Sequence, residues 1–362
     1  MALSKITIAN FRNHAATELG ETAHFNLLVG ANGAGKTNLL EAISLLGAGR
    51  GLRRAGLGDL GRKAAAGEPP QAFAIGASLI EQGQFSARLG TYTEASQPGR
   101  RLVRINGAAA SASALSEWLA LSWLTPAMDG LFTDSAGARR RFIDRMALAI
   151  APDHARRVTQ FEAALRERNR LLEARGDAAW LDAIEAQVAE HGAALHHTRA
   201  ALVSRLSDEL SALPPEPFAK PLIALRPGGP LDAAGLRDEL ARARPRDRAA
   251  GRALTGPQRD ELEVVMASSG QPAASCSTGE QKAMLIAITL AHGALAAAGR
   301  PSVLLLDEVA AHLDPVRRSE LFARLAKGRA QVWMTGTELA PFERILDEAA
   351  IWQVSGGEAK RS

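Results

Sequence analysis

Gly30-Ala31-Asn32-Gly33-Ala34-Gly35-Lys36-Thr37 satisfies the pattern G-x-x-x-x-G-K-[ST] at every fixed position, and it follows the short apolar run Phe25 to Val29, which reads as a buried strand. In that setting the segment is a phosphate cradle. Its glycines let successive backbone N–H groups turn toward a polyphosphate, and the helix opening through Leu39 to Ile43 points its positive end at the same anions. Lys36 is expected to reach the β and γ phosphates and Thr37 to hold Mg²⁺. The alternative is a glycine-rich turn that meets the pattern by chance. A second chemical element lies 271 residues beyond Lys36, where the apolar run Pro301 to Leu306 ends in Asp307-Glu308. A central parallel strand delivers carboxylates to its C-terminal edge in this way. Asp307 is expected to complete the Mg²⁺ shell and Glu308 to orient and deprotonate the attacking water, so the two motifs together read as an ATP-hydrolysing site. A lone D-E pair can also be a buried strand ending in surface acids, a reading that the phosphate loop makes improbable.

Ser277-Thr278-Gly279-Glu280-Gln281-Lys282 precedes an apolar helix that begins near Ala283. A hydroxyl, a close-approach backbone and a positive helix end all suit a γ-phosphate, although S-x-G-E is equally the composition of a helix cap. The hexapeptide stands about twenty-five residues ahead of the Asp307 strand. In this order the chain resembles the ABC ATPases, whose signature reaches across a dimer to the partner's nucleotide. The resemblance implies that Ser277 and Gly279 act in trans within an ATP-dependent homodimer. Ala311-His312-Leu313-Asp314 resembles the D-loop of the same group.

The elements that must carry these motifs follow from periodicity. Leu3 to Ile8, Ala72 to Leu79, Phe85 to Gly90 and Arg101 to Gly107 alternate or end in turn signals, which predicts an antiparallel β subdomain beside the phosphate loop. Val158, Phe161, Leu165 and Leu172 are spaced as on a helix, Gly176-Asp177 breaks it, and Leu181, Ile184, Val188, His191, Leu195, Thr198 and Leu202 continue on a second one. This predicts an antiparallel hairpin closed by Pro214-Pro215-Glu216-Pro217, with His191 packed at its seam. The fold class expected is α/β, an ABC-type P-loop ATPase head with an inserted helical-hairpin arm or lid. The head is expected over 1–135 and 214–362, and the arm over 136–213.

The chain has 362 residues, 46% of them hydrophobic and 23% charged, enough for a large core and two domains. Cys276 is the only cysteine, which excludes an internal disulfide and a thiolate zinc site. His196 and His197 are adjacent and diverge on a helix, so they read as a solvated pair. The N-terminal segment alternates and lacks the apolar core of a signal peptide, and Ala283 to Gly299 is too short for a membrane span, so the expectation is a cytoplasmic protein with no membrane association. The formal net charge is +4, but between residues 136 and 175 ten arginines face five acids. Arg50, Arg53, Arg54, Arg62 and Lys63 form a second basic run opposed only by Asp59. Two basic surfaces flanking an ATP site suggest DNA, with Arg50, Arg53, Arg54, Arg139 and Arg140 as the expected contacts. Genomic arginine bias is the competing explanation for part of this enrichment.

A narrower resemblance runs from residue 3 to about residue 337. Asn10-Phe11-Arg12-Asn13, Arg104-Ile105-Asn106-Gly107, Leu124-Thr125-Pro126 with Asp129, Arg139-Arg140-Arg141-Phe142-Ile143-Asp144 and Gly256-Pro257-Gln258-Arg259-Asp260-Glu261-Leu262 are similar, in order, to the motifs of the RecF family of bacterial recombination mediators. The resemblance implies an ATPase switch that binds gapped DNA and single-strand to double-strand junctions. It further implies RecO and RecR as partners, and RecA loading in repair, replication restart and the SOS response. Gln258 stands where the family usually has His, which moves any phosphate or inter-subunit role there to Arg259 and Asp260. At Thr335-Gly336-Thr337, where transporters of the superfamily place a switch His, a hydroxyl contact to the γ-phosphate and a plain strand-end turn remain alternatives. A transporter nucleotide-binding subunit and an SMC-like DNA-tethering ATPase are the rival readings. The basic arm speaks against the first, and the second needs far longer arms.

Overall fold

The computed structural model describes residues 2–63, 69–81, 83–214, 216–297, 299–310 and 313–362. They divide into two compact units, Met1–Asp129 with Ile288–Ser362, and Gly130–Ala287. The second unit therefore reaches well past the arm expected over 136–213, and it takes in the Ser277 segment that the sequence reading assigned to the head.

In the first unit β1 (Leu3–Phe11), β2 (His14–Gly20), β3 (Phe25–Val29) and α1 (Lys36–Ser44) open the chain. Then come β4 (Ala74–Glu81), β5 (Gln84–Glu94), β6 (Gln97–Ile105), β7 (Ala108–Ala110), α2 (Leu115–Trp118) and β8 (Ala120–Leu124). In the second unit lie α3 (Ala136–Leu148), α4 (His154–Glu173), α5 (Ala178–Ala212), β9 (Pro221–Arg226), α6 (Ala233–Ala250) and β10 (Glu261–Met266). The helix α7 (Thr278–Ala296) begins in the second unit and ends in the first, which β11 (Ser302–Leu306), α8 (Pro315–Lys327), β12 (Gln331–Gly336), β13 (Ala349–Ser355) and β14 (Glu358–Arg361) complete.

The expected antiparallel subdomain is a sheet in the order β2-β1-β4-β5-β6-β7. Its inward residues, among them Ile6, Ile8, Ile75, Leu79 and Leu89, join Leu39, Leu40 and Ile43 of α1 in one core. The second sheet runs β14-β13-β3-β12-β11-β8, and β13, β3, β12, β11 and β8 are parallel neighbours. Every residue of β3, β8, β11 and β12 is buried, as strands covered on both faces require. Trp333 stacks on Trp352 at 5.3 Å between β12 and β13.

The second unit is built on the predicted hairpin. Phe161 and Ala164 of α4, Val188, Ala189 and Leu195 of α5, and Leu236 and Leu240 of α6 form its apolar centre. Gly192 rather than His191 sits at the closest approach: a Cβ there would lie 2.9 Å from Leu236 and 3.2 Å from Phe161. His191 is left half-buried beside it. Inside this packing lies Arg168, fully buried, which the sequence reading counted in the basic surface. It donates to Glu185 at 2.9 Å, Asp247 at 2.8 Å and the Leu240 carbonyl at 2.9 Å, tying the three helices together. Arg168→Ala leaves the buried Asp247 carboxylate without its cation and Glu185 with Arg244 alone, and is expected to destabilise the protein by about 3–5 kcal/mol, measured as a fall in the urea midpoint of the unfolding transition that reports this unit.

Candidate nucleotide site

Three adjacent strands bring the chemistry together. The C-terminal end of β3 feeds the glycine loop, that of β11 carries Asp307-Glu308, and β12, paired with both, places Thr335 between them. Gly35 caps α1 at φ 115°, in the left-handed region, and a Cβ on it would meet His14 Nε2 at 2.6 Å and Asn13 Nδ2 at 2.7 Å. Only glycine fits there. Asn13 donates to the Ala34 carbonyl at 3.0 Å, and His14 Nε2 lies 3.1 Å from the Gly35 carbonyl. Burial holds the His14 pKa below its usual value, which keeps the ring neutral under a loop built for anions. Arg12 makes two 2.9 Å bonds to Glu41 of α1, so the Asn10-Phe11-Arg12-Asn13 turn is a brace for the loop.

Lys36 Nζ donates to the carbonyls of Gly30 at 2.7 Å and Ala31 at 2.9 Å, arched across the loop. Burial lowers its pKa, and the charges of Glu308 and Asp307 act in the opposite direction. Thr37 Oγ1 donates to Asp307 Oδ1 at 2.9 Å. Thr335 Oγ1 donates to the same oxygen at 2.9 Å and accepts the Glu308 N–H at 2.8 Å. Thr335 is buried, and Glu308, held through its own amide, has φ 54°. Burial pushes the Asp307 carboxyl above the usual carboxylate range, the two threonine hydroxyls pulling the other way. A buried carboxylate beside a threonine hydroxyl is a pair of hard oxygen donors suited to Mg²⁺, which completes its shell with water and phosphate oxygens. No cluster of three or more His, Cys, Asp or Glu able to hold a metal occurs among the described residues.

The RecF/RecN/SMC N terminal domain pattern matches residues 2–355. The DNA replication and repair protein RecF of Brucella suis biovar 1 is 45% identical over 99% of this chain and 96% of its own length. That of Mesorhizobium japonicum is 46% identical over 98% and 96%. The chain belongs to the RecF family. A solved structure of the recombination mediator protein RecF with ATP, of the RecFOR pathway, has the same fold at TM-score 0.86 and 21% identity, covering 100% of this chain and 97% of that one. An Smc head domain from Pyrococcus furiosus shares it at TM-score 0.55 and 16% identity, covering 100% of this chain and 96% of that one. The fold is thus that of a RecF and SMC-head ATPase.

Family membership sharpens what the remaining candidates do. Arg53 is not a free cation: its Nη1 donates to Asn38 at 2.7 Å and Glu41 at 3.2 Å, and its charge acts on Asp307. The turn leading to it is clamped from β6. Arg101 donates to the carbonyls of Leu45, Gly47 and Gly49 and to Thr91, and burial lowers its pKa to about 10. Arg50 and Arg54 are exposed.

Arg139 and Arg140 do not offer a free basic surface. Arg139 pairs with Glu261 at 2.5 Å, and Arg140 donates to the Asp260 carbonyl at 2.9 Å. The motifs around Asp144 and Asp260 are likewise joined, because Arg199 bonds both carboxylates, at 2.8 and 3.1 Å. Asp260 is therefore buried structure and not a surface contact, while Arg259 beside it is exposed. His196, expected in a solvated pair, is buried with Nδ1 3.1 Å from Asp260; only His197 faces solvent.

Ser277 and Gly279 are exposed at the head of α7. The Glu280 carboxylate accepts from both the amide and the hydroxyl of Ser277 at 2.8 Å, so the helix cap read as an alternative is present. Of the D-loop resemblance, Ala311 and His312 lie outside the described residues, and Asp314 caps α8 by accepting the Arg317 N–H at 2.9 Å.

What the sequence did not suggest is the role of Thr335, read there as either a γ-phosphate contact or a plain strand-end turn. Its position at the end of the strand between the two motif strands was the available signal, but the hydroxyl serves Asp307 and Glu308 inside the protein. Two outcomes are expected. Thr335→Val should lower kcat at least tenfold with little change in nucleotide affinity, and Thr335→Ser should restore it, as measured by steady-state phosphate release. Asp307→Asn should raise the melting temperature of the metal-free protein at neutral pH. The raised pKa means that ionised Asp307 opposes folding above it, and the difference from wild type should close as pH falls below the carboxylate range.

Proposed function

We propose that the chain is an ATP-driven switch of DNA repair, in which two copies close around two nucleotides and open on hydrolysis. The observation that carries this reading is the continuous chain Thr37–Asp307–Thr335–Glu308 beside the Lys36 cradle. Lys36, the glycine loop from Gly30 to Gly35 and Thr37 bind the phosphates of ATP. Mg²⁺, when bound at Thr37 and Asp307, neutralises charge on the β and γ phosphates. Glu308 takes a proton from the attacking water as its oxygen bonds to the γ-phosphorus and the bond to the ADP oxygen breaks. Ser277 and Gly279 of the second copy supply the contact that exists only while the γ-phosphate is present, and slow turnover sets how long the dimer stays closed.

DNA is bound through its phosphates, without sequence preference, and Arg50, Arg53 and Arg54 are exposed on the segment that follows α1. The relatives named for DNA replication and repair support DNA as the target, which this reading narrows to gapped DNA and strand junctions. The RecFOR pathway named for the solved relative supports RecO and RecR as partners, and the reading extends their joint task to loading RecA during repair, replication restart and the SOS response. Family membership displaces the transporter reading. No helix among the described residues is long and apolar enough to cross a membrane.

Lys36→Ala is expected to abolish ATP-dependent dimerisation, whereas Glu308→Gln should bind ATP normally, lose about 10²–10⁴-fold in hydrolysis and stay closed on DNA. Sedimentation with and without ATP, paired with gel shifts on gapped duplex, checks both; wild-type behaviour of the two variants would refute the switch.

A further inference from the structure

The start of α7 holds a contact that competes with the role given to Ser277. Its Oγ donates its single proton to the Glu280 carboxylate at 2.8 Å, and the same carboxylate oxygen accepts the Ser277 amide at 2.8 Å. The Glu280 amide points back at the hydroxyl oxygen from 3.4 Å, which completes a reciprocal helix cap. That cap is not the sole anchor of the helix start. The Gln281 amide donates to the Ser277 carbonyl at 2.9 Å, and the buried Gln281 side chain donates to the Cys276 carbonyl at 2.9 Å. Glu280 can therefore release Ser277 while the first turn of α7 stays in place.

Gly279 supplies an independent observation. It lies within α7, outside the left-handed region, and a Cβ on it would meet nothing among the described residues within 4 Å. Glycine weakens a helix through its backbone entropy, and the described fold has no use for it at this position. Ser277, Thr278 and Gly279 are exposed side by side. A bare, exposed backbone of this kind suits a close approach from outside the chain, as the contact assigned to the second copy requires.

A hydroxyl has one proton to give. In the closed dimer Ser277 turns that proton to the γ-phosphate held by the other copy, and Glu280 must lose it. If the carboxylate stayed, it and the phosphate would flank one hydroxyl oxygen. Two hydrogen-bond lengths would then set the like charges no more than about 5.5 Å apart, a range at which they repel.

We propose that Glu280 competes with the nucleotide for the Ser277 hydroxyl, so that each copy holds its half of the contact shut until the γ-phosphate displaces the carboxylate. The proposal rests on Ser277 acting in trans and adds what sets the nucleotide concentration at which two copies close. The cap is the resting state, and the trans contact replaces it.

The test is the midpoint of dimerisation of the full-length protein, read by sedimentation velocity as the β,γ-imido analogue of ATP is raised in the presence of Mg²⁺. Glu280→Gln keeps an acceptor for the Ser277 amide and removes the charge. It is expected to lower the midpoint about tenfold with an unchanged melting temperature, and its difference from wild type should narrow as salt is raised. A carboxylate that only capped the helix would favour the helix dipole, so its neutralisation would weaken closure or leave it unmoved. Ser277→Ala should raise the midpoint, and Glu280→Gln should gain less in that background, because a carboxylate no longer tied to residue 277 turns away. A midpoint in Glu280→Gln at or above that of wild type, with Ser277→Ala impaired, would overturn the competition and leave the trans contact standing. An equal gain with and without the Ser277 hydroxyl would overturn it as well. A wild-type midpoint in Ser277→Ala would remove the trans contact and the competition with it.

Discussion

A single carboxylate oxygen organises the C-terminal end of the central parallel strands. Asp307 Oδ1 receives two hydroxyl protons, from Thr37 on the phosphate loop side and from Thr335 on the intervening strand. Because the carboxylate is buried, its ionised form depends on those donors and on an arriving cation. Thr335 then fixes the next backbone amide, and with it the direction in which Glu308 leaves the strand. The order β3-β12-β11 sets this hydroxyl between the loop and the acids.

What was legible in the sequence was local. The glycine loop, the acids after an all-apolar strand, the alternating strands and the hairpin each sit within a few dozen residues, and their spacing is dictated by backbone periodicity. Contacts between distant segments were not legible. Arg139, Arg140 and Arg168 look alike in a charge count, yet the first two are spent on the Asp260-Glu261 segment and the third on Glu185 and Asp247. His196 and His197 read as a solvated pair because adjacent residues diverge on a helix, whereas His196 is buried against Asp260, sixty-four residues away in sequence.

The motifs shared with the family therefore fall into two kinds. Those around Lys36 and Asp307 converge on the proposed nucleotide site. Those around Asp144 and Asp260 are joined through Arg199 and hold the second unit together. Conserving geometry there requires charge pairs that are satisfied inside the fold, and a buried pair of this sort specifies one packing more than it adds net stability.

The clamp on the turn after α1 has a mechanical corollary. Arg101 reaches from β6 to three carbonyls of that turn, so the segment bearing Arg50, Arg53 and Arg54 is anchored to the antiparallel sheet at one end and to Asn38 and Glu41 at the other. Under the proposed function, a polyanion bound to this strap would pull on α1, the helix that begins with Lys36 and Thr37, and so on the residues assigned there to the nucleotide.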